Sequence, residues 1–185
     1  EISLNGERIG CDRMTPGWTS YHKRLQYQEY DITTQIRQEN RIEITVGNGW
    51  YKGIFGFDLK PNRYGNRVGA FSELHITYTD GTKEVIVTNH DWKVRTGEIR
   101  CSEIYMGETI DTEMTDYRIG NVSVMEFDKS VLTAQENETV RITERIPAKE
   151  LIVTPKGERL VDFGQNLTGL VELKIKGEKG QKIVV

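Results

Sequence analysis

Apolar and polar positions alternate with period two through much of the chain. Ile42, Ile44 and Val46 fall on one side and Arg41, Glu43 and Thr45 on the other, and the run enters the turn Gly47–Gly49. Leu74, Ile76 and Tyr78 share a face opposite Glu73, His75 and Thr77, and Val171, Leu173 and Ile175 alternate with Glu172, Lys174 and Lys176. This spacing predicts half-buried strands with an apolar side toward a core and a charged side toward water. Turn residues punctuate them at Asn5-Gly6, Asp80-Gly81, Lys156-Gly157, Gly177 and Gly180. Asp80-Gly81, between a run ending at Tyr78 and the run Glu84–Val87, predicts a hairpin. No longer window carries a helical stripe. The best helical segment is a short turn over Asp31–Ile36, where the Asp31 carboxylate is placed to accept from the N–H groups that follow. Many short strands without βα alternation predict an all-β chain, an antiparallel sandwich or barrel.

Strand density changes near residue 145. A polar stretch, Thr133–Thr139, leads into an expected strand Val140–Ile146 that stops at Pro147. Further strands are expected at Leu151–Thr154, Leu160–Phe163, Leu170–Ile175 and Ile183–Val185. We therefore expect a first β-domain over residues 1–145 and the truncated start of a second over 146–185, because a domain seldom ends on an unfinished strand whose edge lacks a partner. The chain opens at Glu1 with neither an initiator Met nor a signal-peptide pattern, so it reads as a piece of a longer protein or as one already processed, and its compartment stays open.

Composition narrows the function classes. The 185 residues are 36% hydrophobic and 29% charged, with a net charge of −3. Basic residues are scattered, which argues against nucleic acid as the partner, and no apolar run approaches the ~18 residues of a membrane span. Cys11 and Cys101 are too few for a disulfide-built scaffold, and they either pair or stay free. His22, His75 and His90 are dispersed without zinc-ligand spacing. The glycines at 47, 49 and 53 miss the dinucleotide fingerprint, and Asp162-Phe163-Gly164 lacks the companion motifs of a kinase.

Sugar recognition fits better. It needs flat rings against C–H faces beside polar groups for hydroxyls. Two glycine-flanked aromatic turns supply rings, Pro16-Gly17-Trp18-Thr19-Ser20-Tyr21 and Gly47-Asn48-Gly49-Trp50-Tyr51-Lys52-Gly53. On composition alone Trp18 and Trp50 read first as core plugs beneath loops, and Trp92, after the Asn89-His90-Asp91 turn, as a core residue.

Taken in order, Asn5-Gly6, the Pro16–Thr19 turn, Tyr27–Thr33, the Gly47–Gly53 turn, Tyr64-Gly65, Asp80-Gly81, Trp92, Gly107-Glu108-Thr109-Ile110-Asp111 and Asp162-Phe163-Gly164-Gln165-Asn166-Leu167-Thr168-Gly169 resemble the N-terminal region of bacterial α-L-rhamnosidases, glycoside hydrolase family 78. The resemblance implies a jelly-roll β-sandwich like galactose-binding domains, followed from about residue 146 by the first strands of a second β-sandwich. It places catalysis in a downstream (α/α)₆ barrel, where two carboxylates hydrolyse terminal α-L-rhamnose with inversion. This chain is then a non-catalytic region with no catalytic residues of its own, and its partner is that downstream domain.

Two roles follow. The first is a scaffold for the barrel. The alternative is a module binding rhamnose-containing carbohydrate, with Trp18, Trp50, Tyr51 and Tyr64 as platforms and Arg67, Glu108 and Asp111 as hydroxyl partners. Glu108 and Asp111 are also readable as loop residues that bond their own backbone. Some relatives hold the sugar through calcium, on an acidic–amide pair just after the Pro-Gly-Trp turn. His22-Lys23 occupies that position here, and an ammonium there repels a divalent cation. We therefore expect no cofactor and no metal ligands.

Overall fold

The structure, a computed structural model, describes residues 1–185 and is almost entirely β. It divides into two compact units, Glu1–Val140 and Arg141–Val185.

In the first unit, β1 (Ile2–Leu4) lies between β2 (Glu7–Arg8) and β4 (Ile42–Ile44), antiparallel to both. Asn5 and Gly6 both adopt positive φ, the left-handed backbone that a two-residue hairpin turn requires, so this dipeptide sets the β1–β2 register of Leu4 against Glu7. Leu4, 1% exposed, anchors the core together with Ile9, Tyr21 and Met114. Its other register partner is Ile42.

β3 (Leu25–Tyr27) pairs with β11 (Leu132–Ala134), with Leu25 opposite Leu132. This is the one parallel pair among otherwise antiparallel sheets. It joins segments far apart in sequence, and Gln28 Nε2 donating to Gln135 Oε1 at 2.7 Å closes its end.

The expected hairpin forms as β5 (Glu73–Thr77) and β6 (Lys83–Val87). Leu74 and Ile76 are half-buried while Glu73, His75 and Thr77 are exposed, as the alternation requires. Asp80 Oδ1 accepts from the Thr82 amide at 2.9 Å and tightens the turn. β7 (Lys93–Arg95) pairs with β10 (Ile119–Asn121), and β8 (Ile99–Glu103) with β9 (Gly107–Ile110).

Helix is scarce. The Asp31–Ile36 segment closes into one 3₁₀ turn, Thr33–Gln35, and Asp31 Oδ1 accepts from the Thr33 amide at 2.9 Å. The glycine-rich aromatic turn contains a single α-helical turn, α1 (Gly49–Lys52).

In the second unit, β12 (Glu150–Val153) and β13 (Arg159–Asp162) form a hairpin through Lys156-Gly157. The strands expected at Val140–Ile146, Leu170–Ile175 and Ile183–Val185 are corrected. Val140 makes only an isolated bridge to Arg13, and the other two segments are unpaired and exposed. Alternation prepares a segment for a sheet, but a strand exists only where a neighbour supplies the hydrogen-bonding ladder, and residues 141–185 offer these segments none.

Candidate functional site

The two aromatic turns, about thirty residues apart in sequence, meet in the first unit. In the first, Gly17 has φ +81, and the turn leaves Trp18 exposed and Tyr21 buried. Tyr21 is 8% exposed, and its hydroxyl donates back to the Gly17 carbonyl at 2.7 Å, locking the turn. Burial, and after it the adjoining Tyr64 hydroxyl, pushes Tyr21 up to about 12.

In the second, α1 carries Trp50 and Tyr51, and the following loop folds back on it. The Asn62 amide donates to Lys52 O at 2.9 Å and the Tyr64 amide to Tyr51 O at 3.2 Å. Gly65 is required by close approach, since a Cβ there would stand 2.6 Å from the Tyr51 hydroxyl and 2.8 Å from its ring.

Tyr64 is the hub where these turns meet. Its ring centroid lies 4.8 Å from Tyr21 edge-on, 5.2 Å from His22, 6.3 Å from Tyr51 in a stacked arrangement and 6.5 Å from Phe55. Its hydroxyl accepts from Trp18 Nε1 at 3.0 Å. Trp18 packs on Phe55 at 5.4 Å and remains 49% exposed. Arg63 covers the Phe55 ring at 5.6 Å and is held by Asp58 Oδ1 at 2.5 Å. The arrangement can offer an exposed indole against an apolar sugar face, with phenol and imidazole groups beside it for hydroxyls.

Of the seven residues singled out from the sequence, the fold gathers Trp18, Tyr51 and Tyr64 here. Trp50 is half-buried on α1 and forms none of these ring pairs. Arg67 is exposed in the loop between Gly65 and β5. Glu108 is exposed on β9 opposite Ser102. Asp111 accepts from the Glu113 amide at 3.1 Å and so serves its own turn. No hydrogen bond or ring contact joins Arg67, Glu108 or Asp111 to the cluster.

Sequence reasoning missed Phe55, Arg63 and Glu103. Glu103, at the end of β8, accepts from Asn48 Nδ2 at 3.0 Å and from the Ile54 amide at 3.2 Å. Phe55 and Arg63 had a weak signal in their place between Gly53 and Tyr64, whereas Glu103 had none, because β8 meets α1 only in three dimensions. Cys11 and Cys101 are both free thiols, Cys11 exposed and Cys101 half-buried.

Comparison with known proteins agrees with this architecture. Residues 1–144 match the α-L-rhamnosidase N-terminal domain, and residues 152–185 match the concanavalin-like domain of bacterial α-L-rhamnosidases. An α-L-rhamnosidase of Streptomyces avermitilis is 35% identical over 196 residues, covering 99% of this chain and 19% of that protein. Among solved structures, native α-L-rhamnosidase from Aspergillus terreus superposes with a TM-score of 0.82 at 34% identity, over 90% of this chain and 21% of that one. The S. avermitilis α-L-rhamnosidase complexed with L-rhamnose superposes with a TM-score of 0.77 at 34% identity, over 90% of this chain and 17% of that one. The chain spans about a fifth of the length of the curated relatives it matches. On these grounds the chain belongs to the α-L-rhamnosidase N-terminal domain family.

Proposed function

We propose that this chain is the non-catalytic N-terminal region of a longer α-L-rhamnosidase, an accessory β-scaffold for a downstream catalytic domain that removes terminal α-L-rhamnose. The observation that carries this reading is architectural. The only α-helix here is the four-residue α1, so these residues contain no material for a helical barrel, while the relatives are about five times longer. The test is incubation of the 185-residue chain with an aryl α-L-rhamnoside. No turnover above a buffer blank is expected, and measurable hydrolysis overturns the reading.

The Tyr64 cluster favours a second role within that frame, docking of a rhamnose-containing carbohydrate. A half-exposed indole fixed by a hydrogen bond to a phenol is a rigid platform, and rigid rings lose little entropy when a ligand lands on them. Metal is not part of this role. After the Trp18 turn stand His22, seated against Tyr64, and the Lys23 ammonium, whereas calcium takes about six to eight oxygens. Calorimetric titration with L-rhamnose, in calcium and then in chelator, tests it. Equal saturation in both is expected, saturation only with calcium refutes the metal-free form, and no heat at millimolar sugar leaves the scaffold role alone.

A further inference from the structure

We propose that Glu103 is the positioning residue of the ring cluster, an inference that rests on the carbohydrate-docking reading above. α1 is one turn long and has no side-chain cap at its N-terminus, so it cannot hold itself. Glu103 grips it from outside at both ends. One carboxylate oxygen takes the side-chain amide of Asn48, the residue before the turn, at 3.0 Å. The other takes the backbone amide of Ile54, two residues past its end, at 3.2 Å. The fit is close, because a Cβ at Gly53 would lie 3.3 Å from Glu103 Cδ and 2.4 Å from the Gly49 carbonyl.

Glu103 itself is tied to the β8–β9 hairpin, where it pairs with Gly107. From its carboxylate the support runs through α1 to Tyr51, from the Tyr51 carbonyl to the Tyr64 amide at 3.2 Å, and from the Tyr64 hydroxyl to Trp18 at 3.0 Å. Glu103 makes no hydrogen bond to any of the rings, yet it sets where Tyr51, and through it Tyr64 and Trp18, stand. Charge-assisted bonds of this kind are about twice as strong as neutral ones, which suits a carboxylate to holding a short turn.

The donor pattern supplies a specific test in the 185-residue chain. Both partners of Glu103 are N–H donors, so Glu103→Gln, with one acceptor and one donor, must lose one bond. Asn48→Asp sets a second carboxylate against the first and also breaks the contact. The double variant N48D/E103Q restores both bonds with one direction reversed. The new amide at position 103 donates to the new carboxylate at position 48 and accepts from the Ile54 amide. Near-ultraviolet circular dichroism reads the packing of the rings, calorimetry reads L-rhamnose affinity, and thermal melts show whether each variant is folded.

Each single variant is expected to change the aromatic dichroism and to weaken L-rhamnose by about ten-fold, the factor carried by one charge-assisted bond transmitted in full. The double variant is expected to return both signals toward the original. Single variants with unaltered aromatic dichroism, or a double variant no better than either single one, overturn the inference. If the unsubstituted chain takes no L-rhamnose, the docking reading fails, and the dichroism of the three variants still decides whether Glu103 positions the rings.

Discussion

Tyr21 couples the packing of the ring cluster to pH, and the coupling has a sign and a size. Its phenol is 8% exposed and raised from 10.0 to about 12, chiefly by burial and then by Tyr64. A group whose proton is held more tightly in the folded state contributes full stability below its unfolded value. Here that contribution persists up to about pH 10 and is lost progressively toward pH 12, with an upper bound of about 3 kcal/mol that residual solvent screening reduces. Ionisation also removes the proton donated to the Gly17 carbonyl, so the Trp18 turn loosens with it. Tyr21→Phe separates these effects. The variant lacks the bond to Gly17 and loses about 1 kcal/mol at neutral pH, but it has nothing to ionise. Tyr30 is also raised to about 12, by burial and by its bond to Asp12, and contributes equally to both proteins. Urea unfolding of the two chains from about pH 8 to about pH 11.5 should therefore give curves that cross near pH 11, with the variant the more stable protein above it. Tyrosinate absorbance should show one late-titrating group fewer in the variant. Stability curves that stay parallel across this range would refute the argument, because a freely solvated phenol at position 21 contributes no differential slope.

Two further substitutions probe the core and the hub. Leu4→Ala empties the most deeply buried side chain of the β2–β1–β4 sheet and should cost about 2–5 kcal/mol in a urea titration, whereas a loss under about 1 kcal/mol would show that β1 is not the core strand. Gly65→Ala drives a methyl to within 2.6 Å of the Tyr51 hydroxyl at a backbone conformation open to any residue, so its cost of about 1–3 kcal/mol should arise wholly from that ring. Measured again in a Tyr51→Ala background the penalty should largely vanish, and a penalty that persists there would place its origin elsewhere.

The sequence by itself determined the hairpin turns and the alternation of the strands beside them, features that depend on neighbouring residues. Period-two alternation marked β5 with its half-buried Leu74 and Ile76, and Asp80-Gly81 and Lys156-Gly157 marked the hairpins that close beside them. Asp31 revealed a turn because its carboxylate reaches an amide only two residues ahead. These features rest on backbone sterics and short-range hydrogen bonds, which a local string of residues encodes in full. Tertiary structure alone decided which alternating segments became strands. Val171, Leu173 and Ile175 carry as clean a pattern as Leu74, Ile76 and Tyr78, yet no strand within residues 1–185 pairs with them. It likewise decided the parallel match of β3 with β11, and the choice among acidic residues near the β8–β9 hairpin. Glu108 and Asp111 stood out in a motif, but Glu103 is the carboxylate that reaches α1, through contacts to residues 55 and 49 positions away. A carboxylate's role follows from which donors lie within hydrogen-bonding distance, and that distance is set only once remote strands have packed.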